Sequence, residues 1–350
     1  MTAPLRIGII GTGGMAHWHA RQFLALGNTQ IVAVCDIDAE RAATFAKTYN
    51  AEKFYSDYKE MLAQSQLDAI SIVTSNDAHH PISMAAIEAG IHVMCEKPLA
   101  LTVAQAQEMY DASLKAGVIT GVNFTHRNTP CFSLARKIIA SGQIGKIYHV
   151  QCNYLQDWML GLARRGSDTV VWRTDKRIAG SGELGDLGAH IIDLLHTVVG
   201  DIVAVNALLP NYPELHNEAL PREAISDDIA ALQLVAANGA VIHATASRVS
   251  TGLGNQMTLD IYGHEGAIKT DDLKETEAEA CIGSFQVARR AWSTFRISDN
   301  ERELNPIEIF VNSIRTGQQS DMGFAAGLKV QQVLEAAEQS AVTGQRISLV

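Results

Sequence analysis

The sequence has no Cys-x-x-Cys pair. Its five cysteines, Cys35, Cys95, Cys131, Cys152 and Cys281, are odd in number and widely scattered. That argues against a disulfide framework or a zinc knuckle. Basic charge is in deficit: 28 Lys and Arg against 38 Asp and Glu leave a net charge of −10 and no footprint for nucleic acid. No apolar run reaches the length of a membrane span. The opening Met-Thr-Ala-Pro-Leu-Arg shows no charged segment followed by an apolar stretch and a cleavage site, so the expected location is the cytoplasm. Charged residues make up only 19%, too few for a disordered chain. There is no internal repeat.

What is present is core-forming material. The chain has 350 residues, 47% of them hydrophobic, which is enough for two domains. Short apolar strands are expected at residues 5–10, 30–35, 69–73, 91–95 and 118–123, alternating with helices at 15–26, 39–49, 58–63, 80–89 and 103–116. Near-continuously apolar strands alternating with helices predict a doubly wound parallel sheet. The pattern changes near residue 125. A helix at 130–141 leads to a strand at 144–155, a Gly- and Arg-rich stretch at 161–166 reads as a loop, and 183–199 reads as a helix closed by Gly200. Strands follow at 203–209, 230–236, 240–249 and 257–262, with Asn238-Gly239 as a hairpin turn, a second turn at 263–266 and late helices at 306–315 and 324–341. The acidic run 271–279 reads as a solvated edge. The fold class is therefore α/β: a Rossmann-type domain at 1–125, and an α+β domain at 126–350 with a large, mostly antiparallel open sheet. An open sheet face needs a cover, so a homo-oligomer, dimer or tetramer, is expected through the C-terminal sheet.

Gly11-Thr12-Gly13-Gly14-Met15-Ala16 follows an apolar strand and opens a helix. Glycines there permit a tight turn and let the backbone approach a pyrophosphate at the helix N-terminus, while Ala16 satisfies a site that only needs a small side chain. Asp36 ends the second strand, where a carboxylate accepts hydrogen bonds from ribose hydroxyls and repels a 2′-phosphate. NAD is expected over NADP, although Arg41 nearby is of the type that holds such a phosphate. Thr74, Asn76 and His79 follow the third strand at the edge where ligands bind. Thr74 and Asn76 are expected to face the cofactor. For His79, cofactor contact and packing of the next helix are equally open. His17 and His19 are expected to pack or pair.

Glu96-Lys97-Pro98 follows the next strand, again at the C-terminal edge. A buried lysine there suits polarisation of a substrate hydroxyl. Asp186 and His190 stand four apart and share a helix face, with His190 the natural general base for a hydroxyl proton. His190 and His196 diverge by about 240° on a helix, so no metal site is expected. Tyr154, Gln156, Trp158, Trp172 and Arg173 mix flat apolar faces with hydrogen-bond donors, which suits a sugar or cyclitol. His126 and Arg127 follow the last strand of the first domain and are further candidates for the substrate.

Gly11–Ala16, Thr74–His79, Glu96-Lys97-Pro98 and Asp186-Leu-Gly-Ala-His190 together resemble the glucose–fructose oxidoreductase/inositol dehydrogenase/rhizopine catabolism (Gfo/Idh/MocA) family over essentially the full chain. The resemblance implies that Lys97, Asp186 and His190 surround a reacting carbinol whose hydride leaves for nicotinamide C4. Tyr154-Leu-Gln-Asp-Trp158, Trp172-Arg173 and Ala179–Asp186 look like the levoglucosan dehydrogenase-like branch, which oxidises a secondary hydroxyl of an anhydrosugar with NAD. An inositol dehydrogenase, a glycoside-cleaving enzyme that retains NAD, and a dinucleotide-binding regulator are the alternatives the family offers.

Overall fold

The computed structural model describes residues 3–164 and 172–349. The chain divides into two compact units, one holding the residues up to Phe124 together with Leu304–Gln331, the other holding Thr125–Glu303 and the residues from Gln332 on.

In the first unit, β1 (Leu5–Ile10), β2 (Thr29–Cys35), β3 (Lys53–Tyr55), β4 (Ala69–Ile72), β5 (His92–Cys95) and β6 (Thr120–Val122) pair in the order β3-β2-β1-β4-β5-β6. Every pair is parallel. This is the doubly wound order, in which ligands sit outside the carboxyl ends of the strands. The last four residues of β1 are all buried, as expected of a strand covered on both faces. The helix Gly14–Ala25 buries Ala16, Ala20 and Phe23 in this core. The helix Pro306–Thr316 opens with a capping box of Asn305 and Glu308 and adds Ile307, Phe310 and Val311 to the same core. The sequence reading carried residues 304–331 with the C-terminal part. Apolar periodicity identifies a helix but not the core it fills.

In the second unit, β7 (Ile147–Leu155), β8 (Ile202–Leu208), β9 (Ile229–Ala236), β10 (Val241–Ser247), β11 (Gln256–Gly263), β12 (Gly266–Asp271), β13 (Glu277–Ile282), β14 (Ser293–Arg296) and β15 (Ile347–Ser348) form one sheet. Their order is β14-β13-β12-β11-β7-β10-β9-β8-β15. The pairs are antiparallel except β7 with β10. Both parts of the expected fold class are present, and Asn238-Gly239 makes the β9–β10 turn with Gly239 at φ +87°.

Three local expectations need correction. Residues 277–279 of the acidic run are not an edge. They begin β13, which lies between β12 and β14, and the alternation Glu277-Ala278-Glu279-Ala280 buries both alanines while the glutamates stay on the wetter face. The stretch 161–166 is not all loop, since residues 161–164 complete the helix Trp158–Arg164, anchored by Met159; residues 165 and 166 lie outside the described residues. The helix expected at 183–199 begins instead as a π turn, Leu184–Gly188, and becomes α-helical only over Ala189–Val198. Such single π turns inside helices are frequent at functional sites. No helix among the described residues is long and apolar enough to cross a membrane.

Candidate active site

The first unit carries a cradle at the end of β1. Gly11 has φ +87°, and a Cβ there would lie 2.4 Å from the Val73 carbonyl oxygen, so only glycine fits. A Cβ on Gly13 or Gly14 would meet nothing within 4 Å. Gly13, Gly14 and Met15 are exposed, and no side chain caps the helix Gly14–Ala25. Backbone N–H groups at a bare, open helix start suit a pyrophosphate. Asp36 is buried. Its carboxylate accepts the Thr12 N–H (2.8 Å) and hydroxyl (2.7 Å) on one oxygen, and the Asp38 N–H (3.0 Å) and Arg41 guanidinium (2.7 Å) on the other. Burial alone would raise the Asp36 pKa, but these bonds lower it below the usual carboxylate value. These features fit a dinucleotide, and Asp36 anchors the glycine loop through Thr12.

At the ends of β4 and β5, Thr74 is half-buried, Asn76 is buried and His79 is fully buried. His79 bonds through Nδ1 to the Pro98 carbonyl (2.9 Å), and burial lowers its pKa. It is placed to hold the loop that carries Lys97. That loop has a second anchor. His19 bonds through Nδ1 to Ser71 (2.8 Å) and through Nε2 to Glu96 (2.8 Å), while Asn123 donates to the same Glu96 oxygen (2.7 Å). The other Glu96 oxygen accepts the Lys97 N–H at 3.2 Å. Burial would raise the Glu96 pKa, yet the bond and charge of His19, with Lys97 and Asn123, bring it down from 4.5 to about 2. A carboxyl whose folded pKa is depressed stabilises the fold above its unfolded value and loses that contribution as pH falls. The expected result is a melting temperature that drops as pH falls from 4.5 toward 2, with a shallower drop in Glu96→Gln. Equal slopes in calorimetric scans would remove Glu96 from the acid response.

The second unit assembles the remaining candidates. His190, 7% exposed, lies in the first turn of the α-helical part of the helix. Its ring centre lies 4.8 Å from that of His126 and 6.1 Å from that of Tyr154. His126 Nε2 and the Tyr154 hydroxyl are 3.0 Å apart, and that hydroxyl donates to Asn255 (2.9 Å), which also accepts from Gln156 (2.6 Å). With its proton committed to Asn255, the phenol accepts from His126, which assigns the Nε2–H tautomer. Burial, with the charges of Asp186 and Asp272, pushes the Tyr154 hydroxyl well above its ordinary pKa. Tyr154 therefore stays protonated. Asp186, in the π turn, is 3.5 Å from the Arg173 guanidinium, and Arg173 stacks on Trp172 at 4.4 Å. Trp158 lies against Arg248, 5.4 Å from its guanidinium carbon. Arg127 follows His126 in the same short 3-10 turn. It is 5% exposed and makes a two-pronged ion pair with Asp193, 1% exposed, on the same helix as His190.

Asn255, Glu183, Asp227, Asp228 and Arg248 were not among the sequence-derived candidates. Asn255 follows a Gly-rich turn with no chemical pattern around it, and the others are contacts between segments distant in the chain. The adjacent acidic pair Asp227-Asp228 ahead of an apolar strand was the one available signal. All five cysteines are buried free thiols, Cys95 among them.

Comparison with known proteins agrees with this layout. Residues 5–124 match the Gfo/Idh/MocA oxidoreductase family with an NAD-binding Rossmann fold, and residues 132–269 match the Gfo/Idh/MocA C-terminal domain. Levoglucosan dehydrogenase from Pseudarthrobacter phenanthrenivorans is 33% identical over 313 residues, 83% of this chain and 79% of that protein. D-glucoside 3-dehydrogenase from Escherichia coli is 34% identical over 209 residues, 59% of this chain and 58% of that protein. The structure of levoglucosan dehydrogenase in complex with NADH and levoglucosan superposes with a TM-score of 0.90 at 30% identity, covering 99% of both chains.

Proposed function

Because this chain belongs to the Gfo/Idh/MocA oxidoreductase family and carries its NAD-binding domain, we propose that it oxidises a secondary hydroxyl of a sugar, a levoglucosan-type anhydrosugar or a pyranose, to the ketone. The carrying observation is the buried imidazole of His190, set beside a wall of His126, Tyr154, Asn255 and Gln156 whose polar atoms are tied to one another. Full-length likeness to levoglucosan dehydrogenase supports the sugar class.

What NAD supplies when bound is a two-electron sink: the carbinol hydrogen leaves with its electron pair. His190 takes the hydroxyl proton and becomes imidazolium, then passes the proton to solvent. The Lys97 ammonium stabilises alkoxide character. Asp186, beside the Arg173 guanidinium, orients the substrate through its hydroxyls. Trp158 and Trp172 offer flat apolar faces to a pyranose ring, with Arg173 beside them. The setting proposed is the cytoplasm, where NAD is available and thiols stay reduced.

Cofactor choice rests on Asp36. Asp36→Ala removes a charged acceptor and is expected to weaken NADH binding about 10–100-fold while reducing the preference over NADPH, since Arg41 is released and no carboxylate repels the extra phosphate. Fluorescence titration with both cofactors checks this, and unchanged NADH affinity would remove Asp36 from the ribose.

The sheet is proposed to build a homo-oligomer, dimer or tetramer. On the face opposite Val150 and Cys152, register aligns the exposed Leu208, Val241, His243 and Gln151. Light scattering on the purified protein would show a monomer if this is wrong.

The function is tested by following NADH formation with a panel of anhydrosugars, aldopyranoses and inositols, with NAD and NADP in parallel. Turnover of levoglucosan or a pyranose supports the reading. Turnover of inositols alone moves the substrate class to cyclitols. Silence across the panel with NAD bound overturns the dehydrogenase reading in favour of an internal-redox enzyme or a regulator.

A further inference from the structure

Three successive amides at the entry to the π turn are held by one residue. The Gly182 and Leu184 N–H groups donate to the two carboxylate oxygens of Asp227 (2.6 and 2.8 Å), and the Glu183 N–H between them donates to the Asp227 backbone carbonyl (3.1 Å). The approach is so close that a Cβ on Gly182 would lie 1.9 Å from that carbonyl oxygen. A helix start normally leaves such N–H groups without acceptors inside the helix. Here all three are fixed from outside, by the loop that leads into β9, directly before the turn bearing Asp186.

Arg248, at the end of β10, is fully buried. Its guanidinium donates to Asp228 (2.7 Å), to the Ser226 hydroxyl (3.1 Å) and to the Arg173 carbonyl (3.4 Å), and it lies 3.6 Å from the Glu183 carboxylate. The Ser226 hydroxyl donates to the same Arg173 carbonyl (3.1 Å). His216 closes the far side, with Nε2 at 3.0 Å from Asp228. One planar cation thus touches the segment Trp172–Thr174, the entry to the π turn and, through its face, Trp158. Buried ion pairs are poor value as stabilisers, since apolar replacements of similar volume are often neutral or better. What a rigid fork of donors supplies is fixed geometry.

We infer that Asp227 and Arg248 are positioning residues of the sugar site: Asp227 sets the register of the turn that carries Asp186 and leads into the helix of His190, and Arg248 locks Trp158 and Trp172–Arg173 to that turn. The inference rests on the reading of Asp186, His190 and the two tryptophans as sugar-facing. Neither residue is assigned a contact with substrate or cofactor.

The test compares full-length wild type, Asp227→Asn, Arg248→Lys and Arg248→Met by sugar kinetics, NADH titration and hydrogen exchange of the peptide 182–190. An amide in place of the Asp227 carboxylate keeps one acceptor where two N–H groups need one each. The expected result is faster exchange confined to that peptide and a kcat about 10–100-fold lower, the scale of a small misplacement of reacting groups, with NADH affinity intact. For Arg248→Met a raised KM for the sugar is expected, partly restored in Arg248→Lys, because a point charge keeps the pairing with Asp228 but not the fork. Folded variants with wild-type kcat and KM would overturn the inference, as would exchange that rises across the whole second unit, the mark of a merely structural role. If the wild type oxidises no sugar, the underlying reading fails by itself and exchange alone decides the Asp227 clamp: a rise confined to 182–190 supports it, and no change overturns it.

Discussion

Replacing His190 with alanine is expected to lower kcat for the accepted sugar about 10²–10⁴-fold, the usual contribution of a positioned general base, while leaving NADH affinity near the wild-type value. The reasoning is by elimination within the second unit as well as by placement. Tyr154 is held protonated by burial and by the nearby negative charge of Asp186 and Asp272, so it serves as a hydrogen-bond relay. His126 has its Nε2 committed to Tyr154. His190 stands against both rings, 7% exposed, and is the remaining imidazole of the group for the base role. The loss should appear in kcat and kcat/KM alike. Near-normal turnover across pH would take His190 out of the base role and shift attention to Lys97.

Arg127→Ala is expected to destabilise the protein by about 3–5 kcal/mol, because it leaves the Asp193 carboxylate charged, buried and without its main partner. Against a total stability of about 5–15 kcal/mol, that is enough to compromise folding. Both side chains are at most 5% exposed and meet as a two-pronged pair. The double replacement Arg127→Met with Asp193→Leu should recover much of the loss, since it removes both buried charges together. Urea unfolding of Arg127→Met, Asp193→Leu and the double variant completes the cycle. Single variants within about 1 kcal/mol of wild type, the range of exposed pairs, would show that solvent reaches this pair.

The pieces legible in the sequence share one property: their partners are close in the chain or their residue type is forced. Gly11 must be glycine because its Cβ position is occupied by the Val73 carbonyl, and such constraints leave a readable mark beside an apolar strand. The strand–helix alternation is equally local and accounts for five of the six parallel strands; the three-residue edge strand β3 was not among those expected. What escaped reading is set by distance. Asp227 reaches the amides of Gly182 and Leu184 across 45 and 43 positions, and Asn255 reaches Tyr154 across 101. No periodicity records such contacts. The π turn at Leu184–Gly188 was hidden for a related reason, since Gly-Asp-Leu-Gly carries no sign of which hydrogen-bond spacing it will take until an outside acceptor fixes its first amides. β13 was missed because two glutamates on a half-wet strand look like solvated charge when every second residue is ignored.

The helix Pro306–Thr316 has a consequence for how the protein is made. Ile307, Phe310 and Val311 belong to the core of the first unit, yet they are synthesised after Glu303, the end of the long stretch Thr125–Glu303 in the second unit. A nascent chain that has already emerged through Phe124 therefore exposes apolar surface around Met94 and Ile119 until the ribosome has added almost two hundred further residues. The first unit cannot be finished in the usual order, one domain at a time from the N-terminus. Premature termination between Phe124 and Leu304 would release a chain with that surface uncovered, a substrate for chaperones and for aggregation.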